Sequence, residues 1–351
     1  MMTRDDRTPV ELAPALPERM RAIVQRQYGS ADQLRIEQVD SPPLPAQGQV
    51  LVKVAAAGLD RGTWHLMTGQ PYLVRPAVGL RRPRNPVPGR DVAGTIVAIG
   101  PGVSRFTLGD RVFGVAPGSF AEYALADEKK LAAAPNSLTN TQAATLGISG
   151  LTALQALHNS GRLAAGQRVL ILGASGGVGT YAVQMAKATG AEVTGVCSGP
   201  KIEPVRALGA DHVIDYQIHD PIDGTQQYDL IVDIGGNRGI ARLRRALTPT
   251  GTLAVVGGEN AGKWTGGLGR QLRAAARSPF LRQRLVMVVS AERGSDLETL
   301  AHMADEGHLR PVLDSVFPLE RAADAMRRLE SGQVCGKVAI DVSDEKHASA
   351  A

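Results

Sequence analysis

Short apolar runs punctuated by proline and glycine cover the chain from Met20 to about Leu131. Runs of this kind are typical of strands bounded by turns. The predicted strands are Met20–Val24, Gln49–Ala56, Val92–Ile99 and Arg111–Val115. The prolines at positions 42, 43 and 45 exclude a helix between the first two, because proline lacks the N–H that a helix interior needs. We therefore predict that the first third of the chain is rich in β-structure.

The pattern changes after residue 139, where short apolar runs alternate with longer runs rich in alanine and leucine. The short runs predict buried strands at Arg168–Leu172, Glu192–Cys197, His212–Ile214, Leu230–Ile234 and Thr252–Val256. The longer runs predict helices at Thr139–Leu157, Gly179–Thr189 and Pro204–Leu208. This alternation indicates βαβ units and a parallel sheet. Thr252–Val256 is the last strand of the series, so we expect it at the outer edge, where a second copy of the chain would pair with it. The alternative is that the following segment, Gly257–Arg284, folds back and caps this edge within one chain.

The end of the chain carries strands again. Helices are predicted at Leu297–Glu306 and Leu319–Glu330, and strands at Val312–Val316 and Lys337–Val342. We therefore predict an α/β protein in which a β-rich domain is split by the central domain. The expected segments are a disordered tail (1–19), the β-rich domain (20–140), the α/β domain (141–290), the return to the β-rich domain (291–343) and a second disordered tail (344–351).

Composition narrows the class of protein. The 351 residues exceed what one hydrophobic core usually serves, so two domains are expected. The two cysteines, Cys197 and Cys335, exclude a disulfide framework and a multi-cysteine zinc site. The polar, proline-broken residues 1–19 differ from a signal peptide, and no apolar run approaches the roughly 18 residues of a membrane span. These features predict a cytoplasmic protein without a transmembrane segment.

A glycine-rich loop follows the strand Arg168–Leu172 and opens the next helix. Its residues are Gly173, Ala174, Ser175, Gly176, Gly177, Val178 and Gly179. Glycine lets the backbone approach a pyrophosphate, and the helix N-terminus supplies unpaired N–H groups with partial positive charge. A generic tight turn is the alternative, but strand, loop, helix and second strand all lie in the order of a dinucleotide site. We therefore predict that these seven residues bind a dinucleotide.

The end of the second strand predicts which dinucleotide binds. An NAD-specific site has an acidic residue there for the ribose 2′-OH, whereas this chain continues Ser198-Gly-Pro-Lys201. Tyr216 follows the third strand. A hydroxyl, an ammonium and a phenol suit a 2′-phosphate, so we predict NADPH, with a solvated Lys201 as the alternative.

Several motifs together resemble the zinc-free quinone oxidoreductase branch of the medium-chain dehydrogenase/reductase superfamily, over about Met20 to Val342. The motifs are Pro88-Gly-Arg-Asp91-Val-Ala-Gly94, Gly109-Asp110-Arg-Val, Gly118-Ser-Phe-Ala-Glu-Tyr123, Gly150-Leu-Thr152-Ala-Leu, the glycine loop, Leu208-Gly-Ala-Asp211-His-Val-Ile-Asp-Tyr216 and Gly336-Lys337-Val338. The resemblance implies a GroES-like domain around a doubly wound Rossmann domain, with the active site between them. It also implies that Thr152, Gly257 and Lys337 contact the cofactor and that the protein is a homodimer.

Both zinc sites of the related alcohol dehydrogenases are missing. Their Gly-His-Glu motif is Gly89-Arg90-Asp91 here, and an arginine has no lone pair for a metal. No cysteine stands near Gly58-Leu59-Asp60, where their first ligand would fall. We predict no metal. A site formed by Asp60, His65 and Asp91 is the alternative, and loop or structural roles are favoured for these residues.

Without zinc, hydride transfer is easiest to an acceptor that is already electrophilic. Quinones and α,β-unsaturated carbonyls qualify. Tyr72 is a candidate donor to the acceptor's oxygen, Asp60 is expected near the nicotinamide by resemblance, and a water molecule is the alternative. Two other functions stay open: a zinc-free alcohol or aldehyde reductase, and an NADPH-binding sensor or scaffold without turnover.

The net charge of +5 comes with two basic stretches, Arg75–Arg84 and Lys263–Arg284. The second mixes arginines with apolar residues, which suits a helix on a membrane surface or over a lipophilic substrate. A solvated lid over the cleft is the favoured alternative. Aromatic residues make up 4% of the chain, too few for stacking single-stranded nucleic acid, so no nucleic-acid partner is expected.

Overall fold

The structure is a computed structural model that describes residues 11–12, 16–236, 238–257, 262–266, 269 and 281–343. Its strands form a mixed sheet, a parallel sheet and a two-stranded hairpin. The strands are β1 (Glu11–Leu12), β2 (Arg19–Val24), β3 (Arg35–Asp40), β4 (Gln49–Leu59), β5 (Asp91–Ile99), β6 (Arg111–Val115), β7 (Tyr123–Asp127), β8 (Leu131–Ala133), β9 (Arg168–Leu172), β10 (Glu192–Cys197), β11 (His212–Asp215), β12 (Tyr228–Asp233), β13 (Leu247–Val255), β14 (Arg284–Met287), β15 (Leu313–Pro318) and β16 (Lys337–Asp341).

One of the predicted helices is interrupted in the structure. The predicted helix Thr139–Leu157 is divided into two short helices and a turn of π-helix at Gln155–Ser160. The helices are α1 (Arg61–Thr68), α2 (Arg75–Val78), α3 (Asn140–Ala143), α4 (Gly147–Leu154), α5 (Gly177–Ala188), α6 (Ile202–Ala207), α7 (Ile240–Arg245), α8 (Gly294–Asp305) and α9 (Ala322–Glu330). The sequence pattern did not predict α1, α2 or α7.

The mixed sheet confirms the split β-rich domain. Its path runs β15-β16-β4-β5-β6-β8, with β7 paired to β4 and β1 paired to β5. β16 is antiparallel to β4, with Val338 opposite Leu59, so the end of the chain completes a sheet that the first third begins. The pair Glu11 and Leu12, within the tail predicted to be disordered, lies opposite Ile99 and Ala98. The structure therefore differs from the prediction for these two residues.

The central segment forms a parallel sheet in the order β11-β10-β9-β12-β13-β14. Consecutive strands diverge on either side of β9, so the sheet is doubly wound and its switch point lies between β9 and β12. Ligands of such sheets bind outside the carboxyl ends of the strands at this point. The glycine loop leaves the carboxyl end of β9, and this places it at the switch point.

The prediction that Thr252–Val256 forms the outer edge is wrong. β14 pairs in parallel with β13, with Leu253 opposite Leu285 and Val255 opposite Met287. The sequence pattern did not predict this strand, because it is four residues long and begins at Arg284, the last residue of a basic stretch that suits a helix. Within the described residues, β14 is the outermost strand on this side.

A buried apolar layer fixes α4 and α5 against the parallel sheet. Tyr181 of α5 is fully buried, and its hydroxyl donates to the Thr145 carbonyl at 3.0 Å. Val169 and Ile171 of β9 belong to the same core. Because α5 is held along its length, the glycine loop at its start has little room to move.

Candidate cofactor site and active-site cleft

The glycine loop has the conformation that the sequence predicts for it. Gly173 has φ +90°, a left-handed value that favours glycine. A β-carbon on Gly179 would lie 2.1 Å from the Gly173 carbonyl oxygen, so the helix start packs directly on the loop. These contacts are within the protein, and they explain the first and last glycines without any ligand.

Gly176 differs from both. Its φ of −81° and ψ of 175° are open to any residue, and a β-carbon there would meet only the Gly173 oxygen at 3.5 Å. No side chain caps α5, because Gly176 stands at the N-cap. The first amides of a helix have no intrahelical acceptor, so α5 presents donors to the space that a side chain would otherwise fill. A cradle of this kind fits a pyrophosphate.

The residues predicted for the 2′-phosphate lie together beyond β10. Ser198 directly follows β10, and Tyr216 is held beside it because its N–H donates to the Cys197 carbonyl at 3.2 Å. Lys201 follows one turn later, and its Nζ donates to the carbonyls of Val334 at 2.8 Å and Gly332 at 3.3 Å. The lysine thus contacts the segment that returns to the mixed sheet.

One carboxylate in this region was missed by the sequence reasoning. Asp215 ends β11, and parallel pairing sets it opposite Cys197. Its Oδ2 lies 2.7 Å from the position of a β-carbon on Gly199, and its Oδ1 accepts from Gln217 N at 2.9 Å. Burial, together with this nearby carboxylate, raises the pKa of the Cys197 thiol to about 11. The strand order would have revealed Asp215, because β11 neighbours β10.

Lys337 lies beneath the glycine loop and is 2% exposed. Its Nζ donates to Ser149 Oγ at 2.8 Å and lies 3.5 Å from Asp91 Oδ2. Its Cδ would be 2.8 Å from a β-carbon on Gly177. Lys337 therefore forms a buried ion pair that supports the loop from below, and its contact with the cofactor stays a prediction.

Asp91, the partner of Lys337, is fully buried at the start of β5. Its Oδ1 accepts from the Ile148 N–H at 2.7 Å. Burial raises the pKa of Asp91 to about 7, while the charge of Lys337 acts in the opposite direction. Ser149 and Ile148 belong to α4, so this carboxylate joins the two domains under the cleft.

Arg90 occupies the position of a metal-ligating histidine in the zinc enzymes, and here it is ion-paired. Its Nη2 bonds Glu292, which follows β14, and Lys130 Nζ reaches the same carboxylate at 2.7 Å. Its Nη1 lies 3.8 Å from the position of a β-carbon on Gly62. Glu292 was not predicted from the sequence, because nothing in its local pattern indicates that it meets a residue 202 positions earlier.

The two predicted catalytic side chains have structural partners. Asp60 is the N-cap of α1 and accepts from Thr63 N at 2.9 Å and Thr63 Oγ1 at 3.3 Å. Tyr72 packs edge-on against Trp264 with ring centroids 5.4 Å apart, and the Arg75 guanidinium lies 4.5 Å from its ring. Asp60 therefore starts a helix, and Tyr72 lies where the two domains meet.

Two further predicted cofactor contacts lie near the loop's helices and strands. Thr152 is on α4, and its hydroxyl donates to the Ile148 carbonyl at 2.7 Å. Gly257 follows β13, and a β-carbon there would lie 2.3 Å from the Ile234 carbonyl oxygen. Most of the basic stretch Lys263–Arg284 lies outside the described residues.

The described part of the chain has neither a cluster of metal-ligating side chains nor a membrane-spanning helix. Across those residues, no group of three or more His, Cys, Asp or Glu side chains is arranged to hold a metal ion. Nor does any of the described helices have the length and apolarity needed to span a bilayer.

Comparison with known proteins places the chain in a family. Residues 46–136 match the family model described as an alcohol dehydrogenase GroES-like domain, and residues 208–340 match that described as a zinc-binding dehydrogenase. The chain is 32% identical over 337 residues to the chloroplast envelope quinone oxidoreductase homolog of Arabidopsis thaliana. This alignment covers 92% of this chain and 98% of the relative. It is also 32% identical to the mitochondrial NAD(P)H oxidoreductase RTN4IP1 of Homo sapiens, covering 92% and 89% of the two chains.

A solved structure agrees with these relatives. The quinone oxidoreductase from Coxiella burnetii superposes with a TM-score of 0.81 at 29% identity, over 93% of this chain and 100% of that one. The fold, the glycine loop and the relatives all indicate the same family. The chain therefore belongs to the medium-chain dehydrogenase/reductase superfamily, as a quinone oxidoreductase-like member, and is a nicotinamide-dependent oxidoreductase.

Proposed function

We propose that this protein is an NADPH-dependent, zinc-independent reductase that transfers hydride to a quinone or an α,β-unsaturated carbonyl. The observation that carries the proposal is the cradle at Gly176, which packing within the protein leaves open in front of the first turn of α5. The names of the relatives support a quinone as acceptor and NAD(P)H as donor.

The residues around the loop would bind the cofactor in three places. The amides at the start of α5 would hold the pyrophosphate, and Ser198, Lys201 and Tyr216 would hold the 2′-phosphate. Lys201 would exchange its two carbonyl acceptors for the phosphate. Asp215 opposes this choice of cofactor by its charge, so the preference for NADPH depends on Lys201.

Reduction of the acceptor, at the end of the cleft away from the 2′-phosphate, requires that the negative charge developing on the acceptor's oxygen be stabilised. A bound nicotinamide would supply the hydride, and water or the Tyr72 hydroxyl would supply the proton that completes the reduced product. Arg90, held by Glu292, is our candidate for stabilising negative charge that develops on the acceptor's oxygen. Since Asp60 caps α1, it is assigned no part in proton transfer.

The chemistry of the side chains present supports the proposed zinc independence. Arg90 has no lone pair to offer, and its charge would repel a cation at that position. Asp60 is bonded to Thr63, and Asp91 is fully buried. We expect purified protein to contain no stoichiometric zinc and to keep its activity after treatment with a chelator. Elemental analysis that finds about one tightly held zinc per chain would contradict this.

Two alternatives keep the same cofactor site. One is an alcohol or aldehyde reductase, and the other is an NADPH-binding sensor without turnover. An assay that follows the absorbance of the reduced nicotinamide with a panel of quinones, enones, aldehydes and ketones separates the three. The proposal predicts oxidation with the first two classes. Oxidation only with aldehydes, or binding without oxidation by any acceptor, would reject it.

We also propose a cytoplasmic homodimer. Cys197 and Cys335 are unpaired, as expected for a reducing compartment. Two copies that pair along β14, the outermost strand on this side among the described residues, would join their parallel sheets across an isologous interface. Light scattering at micromolar concentration should give twice the chain mass, and a monomer mass would reject the dimer.

A further inference from the structure

The positive charge of the chain is concentrated in two stretches. Residues 61–90 contain six arginines, residues 260–291 contain six basic residues, and neither stretch has an aspartate or glutamate. The rest of the chain has 27 basic and 34 acidic residues. The charge of residues 61–90 is therefore local, and a local charge points to a charged partner more than to general solubility.

Three of these arginines, Arg81, Arg82 and Arg84, lie on one turn and are exposed. Within the described residues none of the three has an ion-pair partner. Arg84 N donates to the Val78 carbonyl at 2.8 Å, which closes the turn. The Tyr28 hydroxyl donates to the Gly79 carbonyl at 2.6 Å and ties the turn to the body of the protein.

Large apolar side chains are exposed beside this turn. Leu73 is 57%, Leu80 is 69% and Trp264 is 75% exposed. Backbone bonds hold two of them together, because Leu73 N donates to the Trp264 carbonyl at 3.1 Å. The neighbouring bond, from Tyr72 N to the Lys263 carbonyl at 2.8 Å, adds an exposed lysine to the group.

Arg75 holds the loop that carries these residues in place. Its guanidinium lies between two rings, 4.7 Å from the centre of Tyr28 and 4.5 Å from that of Tyr72. Its Nε donates to the Gly69 carbonyl at 2.9 Å. The exposed apolar groups are therefore presented on an anchored loop, at the place where the two domains meet.

We propose that Leu73, Leu80, Arg81, Arg82, Arg84, Lys263 and Trp264 form a docking surface for an anionic phospholipid bilayer. Basic side chains attract anionic headgroups, and leucine and tryptophan enter the boundary between headgroups and acyl chains. A nucleic acid would bind the arginines and stack on the indole, but it would leave Leu73 and Leu80 in water without a favourable contact. The apolar residues therefore favour the bilayer.

The docking surface borders the cleft at Tyr72. When the protein is docked, its cleft would face the bilayer, in which lipophilic quinones dissolve. This link to quinones rests on the proposed function. Binding to the bilayer itself requires neither cofactor nor acceptor. A test of binding alone therefore fails or succeeds separately from the proposed reduction.

The experiment is co-sedimentation of the full chain with vesicles of phosphatidylcholine, with and without phosphatidylglycerol. We expect binding only to the anionic vesicles, weakened by added salt. Replacing Arg81, Arg82 and Arg84 together by glutamine should lower the partition coefficient about fivefold for each arginine, or roughly a hundredfold in all. The triple variant Arg35→Gln, Arg245→Gln, Arg310→Gln is the matched control, since it removes three exposed arginines elsewhere on the surface.

Insertion is read from tryptophan fluorescence with brominated acyl chains. The wild type should be quenched on anionic vesicles and the Trp264→Phe variant should not, because Trp64 is the only other tryptophan and its Nε1 bonds Glu330. No binding to anionic vesicles, or equal losses in the two triple variants, would overturn the proposal. Two other results would also overturn it. One is that the protein binds a single-stranded RNA oligonucleotide and does not bind vesicles. The other is that the protein self-associates and that Leu73→Ser abolishes the self-association.

Discussion

Two glycines of the same loop should respond to alanine in opposite ways. At Gly179 the added β-carbon would lie 2.1 Å from Gly173 O and 2.7 Å from the carbonyl carbon of Ala174. Both are backbone atoms, so the loop itself must move. Overpacking of this kind costs about 1–3 kcal/mol or more, against about 1 kcal/mol gained in helix propensity. We expect Gly179→Ala to lower the free energy of unfolding.

At Gly176 the same substitution meets only Gly173 O at 3.5 Å, in a backbone conformation that alanine adopts without strain. Its stability should be unchanged or higher by about 0.5 kcal/mol, because alanine lowers the entropy of the unfolded chain. Its methyl group, however, would stand in the cradle where we propose that the pyrophosphate binds. Losing one charge-assisted hydrogen bond costs about 1.5–3 kcal/mol, so we expect NADPH affinity to fall about 10- to 100-fold.

The assay pairs urea denaturation without cofactor with a fluorescence titration of NADPH. Gly176→Ala should lose affinity and keep its stability, whereas Gly179→Ala should lose both. If Gly176→Ala bound NADPH as tightly as the wild type, the cradle would not be the pyrophosphate site. If it failed to fold, the packing account of the loop would be refuted.

Three other substitutions test separate parts of the site. We expect the wild type to bind NADPH at least about tenfold more tightly than NADH. Lys201→Ala should erase most of this preference, and Asp215→Asn should increase it. The ratio of the dissociation constants for NADH and NADPH measures both effects, and an unchanged ratio in Lys201→Ala would count against the phosphate site. The pKa of Asp91 in the folded protein, about 7, lies above its ordinary value of 3.8, so the folded state favours the protonated carboxyl. The stability that this proton gives to the folded state is present below about pH 4 and is lost as the pH rises toward 7. Compared with the neutral pair Asp91→Asn, Lys337→Met, the wild type should therefore lose up to about 4 kcal/mol of unfolding free energy over that range, and a difference independent of pH would contradict the raised pKa. Arg90→Met should lower kcat more for an enone than for a more electrophilic quinone, and equal losses with the two acceptors would remove Arg90 from the chemistry.

Elements whose pattern is local were predicted well. β6, β9 and β10 have the predicted bounds, because short apolar runs between turn residues are typical of buried strands. The prediction for α5 misses its start by two residues. The glycine loop was predicted because its chemistry is written in consecutive residues.

Helix α1 was missed although its signals are in the sequence. Asp60 is its N-cap, and Gly69 ends it with φ +61°. Both are standard start and stop signals, but the intervening residues mix polar and apolar types without a clear period. The resemblance therefore gave Asp60 a place near the nicotinamide, which stays a prediction, but did not reveal that its carboxylate caps a helix.

Contacts between distant segments could not be predicted from one sequence. Arg90 with Glu292, Lys337 with Asp91, and Lys201 with Val334 each join residues more than a hundred positions apart. Such pairs depend on the order of strands and the closure of the two domains, which no local period records. Strand β14 belongs to the same class, since its place is set by β13.

The most direct test of the central claim is the ratio of kcat/KM for NADPH to that for NADH with one quinone as acceptor, in chelator-treated protein. A 2′-phosphate contact of the expected strength predicts a ratio of at least about ten, with activity retained after chelation. Equal values for the two cofactors, or no oxidation of either in the presence of the quinone, would contradict the account.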